Sequence, residues 1–347
     1  LLTNPFLTPP IMPLFPFCFS LAGVTLNQCY HTNYQENYNL VHEFHNWTVK
    51  YNKTQYWKYG INLTSAINNF ADNKKFIEQH NSWNTNYKLE LNQFADVHYD
   101  DWLYHKHFNE YMFIKEFSQP NEKDEVYGLP LQVDWRDHNL VTPVKNQQQC
   151  GSCWTFSATG SMEGQHAKKT GDLISLSESQ IVDCDVDGSD QGCNGGLMDG
   201  AFQYIINTGG IESEHDYPYK PMDNECVFNK SKVVAKFNSF KDVKGGEAGL
   251  KEAVATIGPI SVAIDASNPS FQFYKSGVYY EPECSSTMLD HGVLVVGYGT
   301  TNNGTDFWLV KNSWGTSWGM DGYIKMSRGK NNNCGIATQP SYPIIHV

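Results

Sequence analysis

The stretch Gln147-Gln148-Gln149-Cys150-Gly151-Ser152-Cys153-Trp154 decides how this 347-residue chain is read, because it sets two cysteines three apart at the start of a helical pattern. That pattern runs from Cys153 to a glycine stop at Thr170-Gly171. Taken alone, Cys150-Gly-Ser-Cys153 reads as a redox pair, as half a zinc site, or as two cysteines with different fates. No second C-x-x-C follows and the histidine spacings fit no common zinc motif, so no metal ligands are assigned. There are nine cysteines: Cys18, Cys29, Cys150, Cys153, Cys184, Cys193, Cys226, Cys284 and Cys334. Seven lie after position 149, so three disulfides among them leave one thiol over. A Cys150–Cys153 redox pair leaves five others, again odd. If Cys150 is bridged elsewhere and Cys153 stays free, the helix start favours a thiolate and predicts a pKa below about 8.5.

A thiolate nucleophile needs a proton partner. His291, in Leu289-Asp290-His291-Gly292 just before the strand pattern Val293-Leu294-Val295-Val296, is placed to face a cleft. Asn312, in Lys311-Asn312-Ser313-Trp314-Gly315, can accept the other ring N–H, with Trp314 shielding that bond from water.

Composition bounds the rest. Hydrophobic residues make up 40% and aromatics 14%, enough for a packed core. Thirty-seven Asp and Glu against 25 Lys and Arg give a net charge of -12, which argues against nucleic acid as a partner. No run of 18 apolar residues predicts a membrane span. Residues 1–22 are apolar, carry five prolines and end in Ser20-Leu21-Ala22, which reads as a signal-peptide-like leader. Sequons at Asn46, Asn52, Asn62, Asn229 and Asn303 suit glycosylation and, with the leader, passage through an oxidising secretory route.

Residues 36–118 look helical, with Phe70, Asn73, Ile77 and Asn81 on one helix face, and Leu89–Asp96 reads as a short strand or turn. Residues 118–130 are polar and proline-bounded, an exposed linker. Beyond it, helices are expected from Cys153, after Ser177, and over Ala201–Asn207. Strands are expected at Ile260–Asp265, Gly292–Tyr298, Phe307–Asn312 and Tyr323–Met326. Helices followed by strands predict an α+β arrangement of two halves.

The chain resembles the papain-like cysteine proteases, and within them cathepsin L-like zymogens. The family signature Cys-Gly-Ser/Ala-Cys-Trp/Tyr is present at Cys150–Trp154, with His291 and Asn312 lying 138 and 159 residues beyond Cys153. Val133-Asp134-Trp135-Arg136, Cys193-Asn194-Gly195-Gly196-Leu197-Met198, Asp290-His291-Gly292 and Asn312-Ser313-Trp314-Gly315 extend the match. The resemblance implies a papain-like two-domain fold, with a helical left domain and a β-barrel-like right domain, behind a mainly helical prodomain. It implies a leader at 1–22, an inhibitory prosegment at 23–128 and a peptidase at 129–347. Cys153 would be the nucleophile, His291 its imidazolium partner and acid, Asn312 the group orienting the ring, and Gln147 the oxyanion-hole side chain. The implied bridges are Cys150–Cys193, Cys184–Cys226 and Cys284–Cys334.

The resemblance further implies substrate contacts at Gly195, Gly196, Leu197, Met198, Ala263, Leu289, Asp290, Trp314 and Gln339. The apolar members predict a bulky hydrophobic P2 residue; Gln339 is a departure from the apolar pattern at the pocket floor. Protein and peptide substrates, cystatin-type inhibitors, the prosegment as intramolecular inhibitor, a monomer and no cofactor are what it implies in partners. Phe70, Asn73, Ile77 and Asn81 match the latter part of the prosegment's interspersed helix motif, where Asn62 and Ala66 stand in place of the usual Glu and Arg; Asn92, Phe94 and Asp96 match its second motif, and Glu90 replaces a glycine. Release is expected by cleavage near Leu129 in acid. Gln148 stands where relatives carry glycine, which costs on the order of 1 kcal/mol if φ is positive there. Thr155 replaces an alanine, and its hydroxyl is expected to bond a carbonyl of the preceding turn. Two rivals are set against the active endopeptidase: an inactive, inhibitory homologue, and a thiol oxidoreductase using Cys150 and Cys153.

Overall fold

The computed structural model describes residues 26–56, 62–83, 86–106, 128–186 and 190–345, in two compact units, Leu1–Ala71 and Asp72–Val347. The leader expected at 1–22 and the linker residues before Gly128 lie outside the described residues.

In the first unit, helix α1 (Leu26–Lys50) meets the start of α2 (Leu63–Ser82) through aromatic rings. Phe44, Trp47 and Phe70 stand 5.4–5.6 Å apart, centroid to centroid. Such rings dominate burial in a small helical contact. The departures at Asn62 and Ala66 sit at the start of α2, Asn62 just before it and Ala66 in its first turn: the Asn62 carbonyl accepts the Ala66 N–H at 2.9 Å, and Ala66 is buried.

In the second unit, α2 continues with the expected face. Ile77 is buried, while Asn73 donates to the carbonyls of Ala95 and Val97 at 2.9 and 3.1 Å. Asn81 exchanges two hydrogen bonds with the Leu89 backbone, at 2.8 and 3.0 Å. These amides explain why the face carries asparagines: they satisfy the backbone of a segment that has little structure of its own. That segment is strand β1 (Tyr87–Leu89) followed by a turn, then helix α3 (Tyr99–Lys106).

The remaining elements are β2 (Val133–Asp134), α4 (Cys153–Thr170), α5 (Glu178–Cys184), α6 (Met198–Thr208), β3 (Ile211–Glu212), β4 (Val233–Ala235), β5 (Ser239–Asp242), α7 (Gly246–Thr256), β6 (Ile260–Ile264), α8 (Pro269–Gln272), β7 (Tyr274–Tyr279), β8 (His291–Thr300), β9 (Asp306–Lys311), β10 (Tyr323–Ser327) and β11 (Ser341–Ile344). Helix α4 ends as expected: Gly171, at φ 87°, donates to the Ala167 carbonyl at 2.8 Å. Ser177 caps α5 by accepting the Gln180 N–H. Helix α6 starts three residues before the expected Ala201, because extended Leu197 serves as its N-cap and no polar cap marks that start in the sequence.

Strands run β1-β7-β10-β9-β8-β6-β11-β5 across one nine-stranded sheet, with β2 on β8, while β3 and β4 form a separate ribbon. All pairings are antiparallel except β7 with β10. Strand β6 is buried at every residue, which accounts for its continuous apolar run. Helices α4, α5 and α6 share a core of Trp154, Ala158, Met162, Ile181, Phe202 and Ile205. The result is an α+β fold, with helices gathered on one side of the site and the sheet supplying the other.

Candidate active site

Cys153 opens α4 and His291 opens β8, so the site forms where a helix N-terminus meets a strand end. Gly292 makes that approach possible. A Cβ there would stand 3.1 Å from the Trp154 Cα and 3.3 Å from the Cys153 carbonyl oxygen. The Gly292 N–H points at the Cys153 Sγ at 3.4 Å, which brings the sulfur against the residue next to His291.

On the far side of the ring, His291 Nε2 lies 2.8 Å from Asn312 Oδ1. The Ser313 N–H donates to the same Asn312 oxygen at 2.8 Å, which identifies that atom as the amide oxygen. Nε2 therefore carries the proton. Trp314 stacks on the imidazole, with centroids 4.8 Å apart, and both rings are fully buried. Asp290, beside them, accepts the Ala266 N–H at 2.8 Å.

Gln147 is fully buried and clamped by its oxygen. Ser313 Oγ and Trp314 Nε1 donate to Gln147 Oε1 at 2.7 and 3.1 Å, so the amide NH2 faces the opposite way, and one of its protons goes to the Cys150 carbonyl at 3.0 Å. Gln148, which follows, adopts φ 57° and donates its N–H to Asn146 Oδ1. The Thr155 hydroxyl donates to the Ser152 carbonyl at 2.8 Å, the preceding-turn partner that its position predicts.

The cysteine pattern is now explicit. Cys150 is bridged to Cys193, Cys184 to Cys226 and Cys284 to Cys334; Cys153 is a free thiol. This overturns the redox-pair reading of Cys150 and Cys153. The expected low pKa of Cys153 is also corrected: burial pushes the thiol up to about 12, and the Gly292 N–H only partly offsets it. The helix terminus acts locally, but full burial removes the solvent that a thiolate needs.

Met198, Ala263 and Leu289 are buried in one apolar cluster with half-buried Leu197 packed on it. Gly195 takes φ 115°, and a Cβ on Gly196 would stand 2.7 Å from the Trp154 ring. Gln339 is half-buried just before β11. The five sequon asparagines are exposed.

Behind the site, Lys145 bridges Glu163 and Glu178 at 2.9 and 2.6 Å, and Lys311, next to Asn312, donates to Thr142. Burial lowers Lys311 to about 8. Residues 93–102 reach the same region. Phe94 and Trp102 meet the Trp314 ring edge-on, both at 5.7 Å, and Gln93 donates to the Trp314 carbonyl at 2.8 Å. The roles of Gln93 and Ser313 were not legible in sequence, because Gln93 reaches Trp314 across 221 residues and Ser313 reaches Gln147 across 166, and no local pattern marks either.

Comparison with known proteins follows this geometry. The profile of the papain family cysteine proteases matches residues 129–344, and that of the cathepsin propeptide inhibitor domain (I29) matches 44–102. Procathepsin L of Rattus norvegicus is 46% identical over 97% of this chain and 99% of its own. Cathepsin L of Sarcophaga peregrina is 50% identical over 80% of this chain and 85% of its own. The solved structure of digestive procathepsin L 3 from Tenebrio molitor larval midgut superposes with a TM-score of 0.79 at 38% identity, covering 88% of this chain and 99% of that one.

Proposed function

The chain belongs to the papain family of cysteine proteases, and we propose that Cys153, His291, Asn312 and Gln147 are the groups that carry its chemistry. It is a cathepsin L-like protease made as a proenzyme with a propeptide inhibitor domain. Sγ of Cys153 attacks the scissile carbonyl carbon, and its proton passes to His291 through Nδ1, since Nε2 is engaged by Asn312. The developing oxyanion is held by the second Gln147 Nε2 proton and the Cys153 N–H. His291 then protonates the leaving amine, and water hydrolyses the thioester. The observation that carries this reading is the Asn312–His291 hydrogen bond beside a sulfur held by the Gly292 N–H.

The apolar cluster of Met198, Ala263, Leu289 and Leu197 supports a hydrophobic P2 preference and endopeptidase action on proteins and peptides. We place the boundary between prosegment (23–128) and peptidase at Leu129; Tyr298 donates to the Pro130 carbonyl at 2.8 Å, which holds the peptidase start. Three disulfides and exposed sequons support passage through the secretory route, with a lysosomal or extracellular destination and glycans at Asn46, Asn52, Asn62, Asn229 and Asn303. A monomer open to cystatin-type inhibitors completes the reading. The test is acid activation of the precursor followed by a fluorogenic dipeptidyl amide with a hydrophobic P2. Turnover together with epoxide labelling of Cys153 supports it; neither occurring overturns it.

A further inference from the structure

We infer that Tyr219 is a positioning residue for the oxyanion-hole segment, acting through Gln147 and Ser152 without touching substrate; the inference rests on the roles proposed above for Gln147 and Cys153. The segment between those residues is a tight turn carrying both oxyanion donors, the Gln147 side chain at one end and the Cys153 N–H at the other. The Gln147 carbonyl oxygen accepts the Cys150 N–H at 3.4 Å, a long bond for holding such a turn. It also accepts the Tyr219 hydroxyl at 2.9 Å, from a loop 72 residues away.

The same hydroxyl lies 2.7 Å from Ser152 Oγ. Tyr219 has one proton to give and the Gln147 carbonyl can only accept, so Ser152 must donate to Tyr219. One oxygen thus ties both ends of the turn. Ser152 is the N-cap of α4, a position where serine ordinarily accepts a backbone N–H, yet its side chain makes no capping bond. A good capping residue is used instead to hold Tyr219.

Tyr219 is itself held in place. Its N–H donates to Glu214 Oε1 at 2.8 Å, and its ring meets Phe156, on the first turn of α4, edge-on at 4.9 Å. The hydroxyl is therefore presented on a fixed frame that spans the loop and the catalytic helix. A shift of about 1 Å in oxyanion donors is enough to cost rate without changing substrate affinity.

The experiment compares Tyr219→Phe with wild type, both expressed as the full precursor and acid-activated. Loss of one oxyanion donor outright costs 10²–10³ in rate, so its displacement is expected to lower kcat for an amide substrate about tenfold, with KM within about twofold. Alkylation of Cys153 by iodoacetamide, which develops no oxyanion, is expected to stay within about twofold of wild type, and the cost of Tyr219→Phe is expected to be smaller in a Gln147→Ala background, where only the Cys153 N–H end of the turn is left to position. Unchanged kcat, or amide hydrolysis and alkylation falling together, overturns the inference. Should Tyr219→Phe fail to fold, Ser152→Ala is read in the same way, with a smaller loss in the amide step alone. Absence of turnover in wild type would instead strike the proposed function.

Discussion

Gln93 and Trp314 are joined side chain to backbone: Gln93 Nε2 donates to the Trp314 carbonyl at 2.8 Å while Ser317 Oγ donates to Gln93 Oε1 at 3.0 Å. The Trp314 ring meanwhile covers His291. The prosegment therefore grips the main chain of the residue that shields the imidazole.

Two neutral hydrogen bonds of this kind contribute about 1–2 kcal/mol together. Gln93→Ala is expected to speed acid activation of the precursor several-fold at a fixed pH, and Gln93→Glu further, since a carboxylate would face the Trp314 carbonyl. The rate of conversion on a gel over a pH series checks this. Equal rates for all three proteins would remove Gln93 from the inhibitory contact.

Burial pushes Cys153 up to about 12 in the precursor. Each pKa unit above the ambient pH lowers the thiolate fraction tenfold, so iodoacetamide at pH 7 should modify the precursor at least about a hundredfold more slowly than the activated enzyme. Mass spectrometry of timed samples measures both rates. Equal rates would mean that departure of the prosegment does not change the ionisation of the sulfur.

Gln148 holds φ 57°, a region that costs a non-glycine residue on the order of 1–2 kcal/mol, of which glycine would return part to the flexible unfolded chain. Gln148→Gly is expected to gain about 0.5 kcal/mol, raising the thermal midpoint by about 1–2 °C. Calorimetry on an inactive Cys153→Ser background reads this directly. A lowered midpoint would show that the Gln148 side chain contributes more than its backbone strain costs.

Much of this site could be read from local pattern. The Cys153 helix and its Gly171 stop, the Ser177 cap and the strand after His291 each carry a signal within a few residues. The start of α6 did not, because Leu197 caps it without a polar side chain. Strand β1 becomes a strand only by pairing with β7, where Tyr87 lies opposite Gly277. The Cys153 pKa failed for a related reason: a helix terminus is visible in sequence, whereas the burial that outweighs it is made by the whole fold. Glu90 shows the same limit, since its salt bridge to Lys275 at 3.3 Å cannot be foreseen from either neighbourhood.

Glu214 gives the fold a pH dependence of definite sign. Burial and the neighbouring Glu178, to which it is hydrogen-bonded, push its carboxyl from 4.5 to about 7. A raised carboxyl pKa means that the folded state holds the proton more tightly than the unfolded chain does. The contribution is therefore fully present below about pH 4.5 and is lost as pH rises through about 7. Glu214 is partly exposed, and after solvent screening the effect is about 1–2 kcal/mol. Glu214→Gln keeps the oxygen that accepts the Tyr219 N–H but cannot ionise. On the Cys153→Ser background, the difference in urea midpoint between this variant and its parent should be small at pH 4.5 and favour the variant by pH 8. A difference independent of pH would show that folding does not raise the Glu214 pKa.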